Sequence, residues 1–261
     1  ALAFESCVEG KTSGSIDVQI FPAAQLGGGS EIIEGLQLGT VQMAAIHDGP
    51  ISAVYQPFSV LAMPYLFDDQ AMAWSIMDGE FGDALAADML EKTGIRSFGV
   101  ADNGVRNFTN NVRPVEKPAD LAGLKIRVTP DKVRLATFEG LGAEPAPLSF
   151  GELYSALQQG LFDAQENPLA IIYSASFFEV QKYVSLSEHI WGAATLTMSS
   201  ATWDKISPED QSVVMEAATT WGLKQRDMVA AANDELIAQL KAKGMEFNEV
   251  DKAAFIEAVA P

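Results

Sequence analysis

This chain is predicted to adopt an α/β fold, because segments typical of strands alternate with segments typical of helices along nearly all of its length. The strand-like segments carry alternating apolar side chains: within residues 15–21, Ile16, Val18 and Ile20 fall on one face. Capping residues and glycine stops such as Gly39 bound the helical segments. No internal repeat or low-complexity linker interrupts the alternation.

The first part of the chain begins with residues 1–14, which are predicted to form the second half of a helix ending between Gly10 and Gly14. Ser30 is placed to cap the helix that Gly39 ends. Further elements are predicted as strands at residues 15–21, 40–46 and 95–101, and as a helical stretch, broken near Gly79 and Gly82, at residues 68–94.

The second part continues the pattern with a short strand in which Ile126 and Val128 face one way and Lys125 and Arg127 the other. Extended segments are also predicted at residues 104–110, 162–167, 194–200 and 245–250. Helices are predicted at residues 129–142 with Thr129 as N-cap, 147–160 with a capping box of Ser149 and Glu152, 167–183 with Asn167 as N-cap, 207–244 opened by Ser207, and 251–261.

The charge of the chain excludes two classes of partner. Asp and Glu number 35 against 17 Lys and Arg, for a net charge of −18. Such a chain is repelled by nucleic acid and by an anionic membrane face. Every apolar run is too short to span a bilayer. The lone Cys7 can form neither an internal disulfide nor a cysteine metal site, and we expect no metal and no cofactor.

Recognisable enzyme motifs are missing from the sequence. It has two histidines, far apart, and neither H-E-x-x-H nor G-x-S-x-G. The stretch EGKT, residues 9–12, is similar to a phosphate loop, but Glu5 stands where that loop requires glycine. The glycine-rich stretch LGGGSEIIEG lacks the G-x-G-x-x-G spacing. No catalytic residue is therefore predicted.

Arginines are the most informative polar residues. Four of the six lie between residues 106 and 134, and Arg106 and Arg127 each sit on a strand-like segment among apolar neighbours. Ligands of open α/β sheets bind outside the carboxyl ends of strands, where a planar guanidinium fits a carboxylate. Arg127 could instead form a structural ion pair with one of the many acids. Asn167 could likewise be a helix cap, and Phe150 a core residue.

Five segments of the chain follow one another in a characteristic order. They are FPAAQLGGGSEIIEGLQLGTVQMA, MPYLFDD, GVRNFTNNVRPVEKPADLAGLKIRV, PLSFGELYSALQQGLFDAQENPLAIIYSASFFEVQKY and WDKISPEDQ. Together they resemble the solute-binding protein of a tripartite ATP-independent periplasmic (TRAP) transporter, of the DctP type. The similarity covers nearly the whole chain, and its most specific parts are the Q-E-N-P segment and the upstream K-I-R-V.

This resemblance implies a periplasmic-binding-protein-like architecture: two α/β domains joined by crossing strands and a long connecting helix, with the ligand cleft between them. Domain I would comprise residues 1–103 plus about 193–232. Domain II would comprise residues 104–192 plus about 233–261. Family members normally begin with a strand and half a helix before the point corresponding to Ala1, so we expect that these residues and a signal peptide have been omitted.

The resemblance also implies a set of ligand-binding residues. Arg127, of K-I-R-V, would be the principal carboxylate clamp, and Arg106, of the G-x-R segment, a second donor from the crossing strand. Asn167, of Q-E-N-P, would be a hydrogen-bonding partner and Phe150 an apolar wall. The loop with His47 and Asp48, which varies between family members, would face the same cleft.

The implied function is periplasmic capture of an organic acid, whether a C4-dicarboxylate, a hexuronate or another sugar acid. A monomeric protein would close around the acid and deliver it to the small and large TRAP membrane subunits. Two alternatives stay open: a carboxylate-processing enzyme using His47 and Asp48, and an extracytoplasmic domain that senses a ligand.

Overall fold

A computed structural model of the chain describes residues 1–22 and 24–260. Within them the helices are α1 Leu2–Lys11, α2 Gly29–Leu38, α3 Asp48–Val54, α4 Gln70–Met77, α5 Glu80–Thr93, α6 Lys132–Gly140, α7 Phe150–Gln158, α8 Leu169–Ser174, α9 Ser200–Trp203, α10 Pro208–Ala242 and α11 Lys252–Val259. The strands are β1 Met43–His47, β2 Ile95–Asn110, β3 Lys125–Val128, β4 Glu144–Pro147, β5 Ala164–Pro168, β6 Tyr183–Ser199 and β7 Glu246–Glu249. Short 3₁₀ helices occupy Gln56–Ala62, Pro118–Leu121 and Phe177–Glu179.

One mixed sheet of seven strands organises these elements. The strand order is β1-β6-β2-β5-β3-β4, with β7 beside β6. β2 runs antiparallel to β6 and β5, whereas β3 lies parallel to β4 and β5. The predicted α/β fold is therefore confirmed.

Strands β2 and β6 are the longest, and each is longer than the sequence pattern predicted. Their pairing runs from Ile95 opposite Ser199 to Asn110 opposite Tyr183 and is interrupted by three register shifts. One shift lies beside Gly104, whose φ of +102° favours glycine. Such interruptions break the two-residue alternation, which is why β2 was predicted as two strands.

Apolar cores lie against both ends of these two strands. In β2, Val100 packs with one cluster, which includes Ile33 and Leu36, and Phe108 packs with another, which includes Phe138. β6 similarly contributes residues to clusters at both of its ends. The predicted domain boundaries are compatible with this arrangement and stay a prediction.

Helix α10 extends for 35 residues and begins as predicted, with the Ser207 hydroxyl accepting a hydrogen bond from Asp210 N. Near its middle, the Arg226 guanidinium pairs with both carboxylate oxygens of Asp78, at 2.6 and 2.8 Å, and also contacts the Val100 carbonyl. The long helix is thereby fixed to β2. No helix in the described part of the chain is both long and apolar enough to cross a bilayer.

Several local predictions were wrong. Ser30 does not cap α2, because it lies inside that helix, whose N-cap residue is Gly28. Residues 15–21 form no strand, because Val18 N donates to the Glu9 carboxylate rather than to a neighbouring strand. Thr129 does not cap α6; Asp131 does, by accepting a hydrogen bond from Arg134 N at 2.9 Å. Asn167 is no cap either, since it lies within β5 and α8 begins after it.

Candidate ligand-binding site

Strands β2, β5 and β3 are neighbours in the sheet and bring Arg127 and Asn167 together on one face, whereas Arg106, opposite Pro168, lies on the other face with Glu166. Asn167 lies opposite Asn107, and Arg127 lies beside Gln165. Because residues two apart on a strand share a face, Arg127, Gln165 and Asn167 project to the same side. In agreement, Asn167 Nδ2 donates to Gln165 Oε1 at 2.5 Å.

Arg127 is buried, with 2% of its surface exposed. Its Nε and Nη2 atoms donate to the Leu148 carbonyl, at 2.9 and 2.7 Å, which fixes the plane of the guanidinium. Its Nη1 atom has no hydrogen-bond partner, and its side chain forms no ion pair, within residues 1–22 and 24–260. The structural ion pair considered from the sequence is therefore absent there, and one edge of the guanidinium is free.

Burial lowers the pKa of Arg127 to about 9, opposed by Glu166 and assisted by the positive charges of Arg106 and Arg134. The guanidinium remains protonated at neutral pH. Its positive charge is held away from water and lacks a carboxylate partner among the described residues. An anion placed beside it would restore the pairing that buried charges require.

Arg106 has a carboxylate partner in Glu166. Arg106 Nη2 lies 2.7 Å from Glu166 Oε1 and 2.5 Å from the Glu166 carbonyl oxygen, and Nε contacts Oε2. Burial raises the pKa of Glu166, but Arg106 and the neighbouring His189 and Arg134 lower it by more, so that it lies well below its usual range. Arg106 Nη1 alone is left for any further acceptor.

Asp48 and Arg134 form a second fully buried pair, with Arg134 Nη2 2.5 Å from Asp48 Oδ2. Burial raises the pKa of Asp48, but Arg134 and then His47 lower it below its usual range. Arg134 Nε lies 4.0 Å from Glu166 Oε1, so the two ion pairs are adjacent.

His189 completes this buried cluster. Its Nδ1 atom lies 2.8 Å from the Ser187 hydroxyl, and its ring stacks on Phe108 at 4.3 Å. Its Nε2 atom approaches Glu166 Oε2 at 3.4 Å without hydrogen-bond geometry. Burial lowers the pKa of His189, opposed by Glu166 and assisted by the two neighbouring arginines.

We expect the unfolding free energy to decrease as the pH is lowered from about 7 to about 5. His189 takes up a proton near pH 6.5 in the unfolded chain, whereas burial lowers its pKa in the folded protein. In His189→Gln this decline should be smaller. The loss below about pH 4 should remain, because Asp48 and Glu166 have lowered folded pKa values and stabilise only above their unfolded ones. Urea unfolding across this pH range measures both effects, and an equal slope in the variant would contradict the assignment to His189.

The other two predicted site residues, Phe150 and His47, are partly exposed. Phe150 begins α7, is 44% exposed and packs on Phe177, with ring centroids 5.9 Å apart. It follows Leu148, whose carbonyl holds Arg127, by two residues. His47 ends β1 with a third of its side chain exposed, and its Nδ1 atom lies 3.7 Å from Asp48 Oδ1.

Sequence reasoning missed Glu166, Arg134 and His189. Glu166 offered a signal, since it stands in the Q-E-N-P segment, and the structure shows that every residue of that strand is buried. Arg134 and His189 offered none, because their partners lie far away along the chain. No group of three or more potential metal ligands occurs in the part of the chain that the structure describes.

The fold and this arginine cluster can be compared with known proteins. The model of the family "Bacterial extracellular solute-binding protein, family 7", called DctP, matches residues 1–261. This chain belongs to that family. The predicted resemblance to TRAP solute-binding proteins is confirmed. Family 7 proteins are extracellular binding proteins rather than enzymes.

Three similar family 7 proteins carry informative descriptions. The "2,3-diketo-L-gulonate-binding periplasmic protein YiaO" of Escherichia coli K12 is 35% identical over 260 residues, which cover 99% of this chain and 79% of YiaO. A TRAP periplasmic protein from Polaromonas sp. JS666, solved with D-erythronate, is 38% identical with a TM-score of 0.96, covering 100% of this chain and 86% of its own. Another, from Sulfitobacter sp. NAS-14.1 with β-D-galacturonate, is 34% identical with a TM-score of 0.96 and the same coverage.

Proposed function

We propose that this family 7 protein captures a sugar acid in the periplasm by its carboxylate and delivers it to TRAP membrane subunits. Arg127 is the principal clamp, Asn167 a hydrogen-bonding partner, and Arg106 a second donor through its Nη1 atom. Phe150 and His47 border the ligand. The sugar acids named for the similar proteins support this class of ligand.

One observation carries the proposal: Arg127 is buried, charged and without an acidic partner among the described residues. Three other arginines are buried within residues 1–22 and 24–260, and each forms an ion pair, with Glu166, Asp48 or Asp78. The free edge of the Arg127 guanidinium matches the two oxygens of a carboxylate. A structural arginine would be expected to have its own acid.

The pairing of the buried arginines with acidic residues favours a monocarboxylate over a C4-dicarboxylate as the ligand. A second ligand carboxylate would require a second unpaired cation, but Arg106 and Arg134 are already neutralised by Glu166 and Asp48. Hydroxyl groups, in contrast, can be satisfied by neutral side chains such as that of Asn167. We therefore place sugar monoacids ahead of succinate-like ligands.

Binding would make and break no covalent bond in the ligand. We propose two lobes with the predicted boundaries: a first lobe of residues 1–103 plus about 193–232, and a second lobe of residues 104–192 plus about 233–261. The lobes close on the acid by bending of β2, β6 and α10, which run through both. The protein acts as a monomer and is not an enzyme.

A thermal-shift screen of the purified protein tests this function. The panel contains D-erythronate, D-galacturonate, 2,3-diketo-L-gulonate and succinate. A ligand at about a thousand times its Kd adds about 4 kcal/mol to the unfolding free energy, which raises Tm by several degrees. We expect a shift with at least one monoacid and a smaller one with succinate. No shift with any acid, or a shift with succinate alone, would contradict the proposal.

A further inference from the structure

The end of β1 contacts the start of α6, although β1 and the strand that precedes α6 are not neighbours in the sheet. In the strand order, β6, β2 and β5 separate β1 from β3, the strand that precedes α6. Asp48 and Gly49 begin α3, directly after β1, whereas Thr129 and Arg134 lie after β3. Side chains, not sheet hydrogen bonds, therefore set how these two regions approach one another.

The charged part of this contact is the pair of Asp48 and Arg134, both completely buried. Two nitrogens of Arg134, Nε and Nη1, and one oxygen of Asp48, Oδ1, are buried without a hydrogen-bond partner in the described residues. Burying such a pair removes the hydration of two charges, and their attraction offsets this cost only in part. The net free energy of forming this contact is therefore small, and a further interaction can shift the equilibrium between the open and closed states.

The apolar part of the contact leaves no spare room. A Cβ atom added at Gly49 would lie 2.2 Å from Thr129 Cγ2, far inside contact distance. Thr129 is buried, with 4% of its surface exposed. Only glycine at residue 49 allows the two regions to approach this closely without displacing Thr129.

We propose that Asp48 and Arg134, together with Gly49 packed on Thr129, form a latch between the two lobes that closes over the bound sugar acid. This inference rests on the proposed function. Asp48 and Arg134 are then positioning residues, which govern affinity without touching the ligand. A ligand carboxylate beside Arg127 neutralises the buried charge of that guanidinium and thereby favours the closed state of the latch.

The apolar contact allows a test that leaves every charge unchanged. Gly49→Ala inserts a methyl group against Thr129 Cγ2, and Thr129→Ser removes that Cγ2 atom. The two single variants, the double variant and the wild type are titrated by calorimetry with the sugar acid that binds wild type best. Stopped-flow kinetics give the association and dissociation rates, and small-angle scattering gives the radius of gyration with and without ligand.

We expect Gly49→Ala to raise Kd about tenfold or more, chiefly through faster dissociation, and to enlarge the liganded protein. Thr129→Ser should raise Kd only a few fold, because it removes one methyl group of the contact, and Gly49→Ala/Thr129→Ser should bind more tightly than Gly49→Ala. Unchanged affinity in Gly49→Ala, or a double variant as weak as Gly49→Ala, would overturn the latch while leaving the proposed function intact. If wild type binds no acid, the proposed function fails first and the latch with it.

A second variant examines the charged half of the latch. Asp48→Asn should raise the dissociation rate for the acid while changing the association rate little, because the ion pair would form only on closure. A circular-dichroism melt establishes that the variant is folded at the titration temperature. If Asp48→Asn slows association and leaves dissociation unchanged, Asp48 acts in the open protein and the latch is contradicted. If Asp48→Asn does not fold, the Gly49 and Thr129 variants decide alone.

Discussion

Arg127→Ala is expected to raise the Kd for the bound acid by about a hundredfold to a few thousandfold, since leaving a buried charge without its partner costs about 3–5 kcal/mol. The loss should be specific to binding. In the free protein, the loss of the hydrogen bonds to the Leu148 carbonyl is offset by the removal of a buried cation that has no acidic partner among the described residues, so Tm should change little. Calorimetric titration and thermal melts measure the two effects on the same samples.

Arg113→Ala is the matched control for this change. Like Arg127, Arg113 donates to backbone carbonyls, those of Asp120 and Ala122, but it lies outside the cluster. We expect it to bind the acid as wild type does. Arg127→Lys should fall between wild type and Arg127→Ala, because lysine keeps the charge and loses the two-pronged geometry. Wild-type affinity in Arg127→Ala would show that the carboxylate lies elsewhere.

Arg106→Ala should have the largest effect on stability, lowering the unfolding free energy by about 3–5 kcal/mol. The variant leaves the Glu166 carboxylate completely buried, with His189 and, at 4.0 Å, Arg134 as its remaining neighbours. For a chain of this size the corresponding fall in Tm is roughly 6–20 °C. Urea unfolding at neutral pH measures the change.

Two comparisons isolate the cause of that loss. Lys252→Ala breaks an exposed pair with Glu188 and should cost at most about 1 kcal/mol. The double variant Arg106→Ala/Glu166→Ala removes both buried charges, so its loss should be clearly smaller than the sum of the two single losses. Additive losses would mean that packing, rather than the ion pair, accounts for the effect of Arg106.

The fold was largely predictable because alternation and caps are local signals. The crossing strand at residues 104–110 was found from its own composition, and α10 from Ser207 and Pro208. The errors arose where a local signal was outweighed by a distant partner. Residues 15–21 alternate like a strand, yet the structure gives Val18 a carboxylate as its backbone partner. The first half of β6 was missed because the strand is buried through much of its length and mixes polar with apolar residues.

Only those candidate site residues that stand in segments characteristic of the family could be predicted from the sequence. Arg127, Arg106 and Asn167 stand in segments characteristic of the family, and the structure places them on three adjacent strands. Which arginine is free could not be predicted, because that depends on the pairing of Arg106 with Glu166 and of Arg134 with Asp48. Those pairs join residues that are 60 and 86 positions apart in the chain.

The most direct test of the account compares a sugar acid with the neutral sugar of the same stereochemistry. Calorimetric titrations with D-galacturonate and D-galactose, or with the corresponding pair for whichever acid binds best, isolate the contribution of the carboxylate. If the free guanidinium of Arg127 holds that group, the acid binds and the neutral sugar binds about a hundredfold or more weaker. Comparable affinity for both would contradict a carboxylate clamp at Arg127.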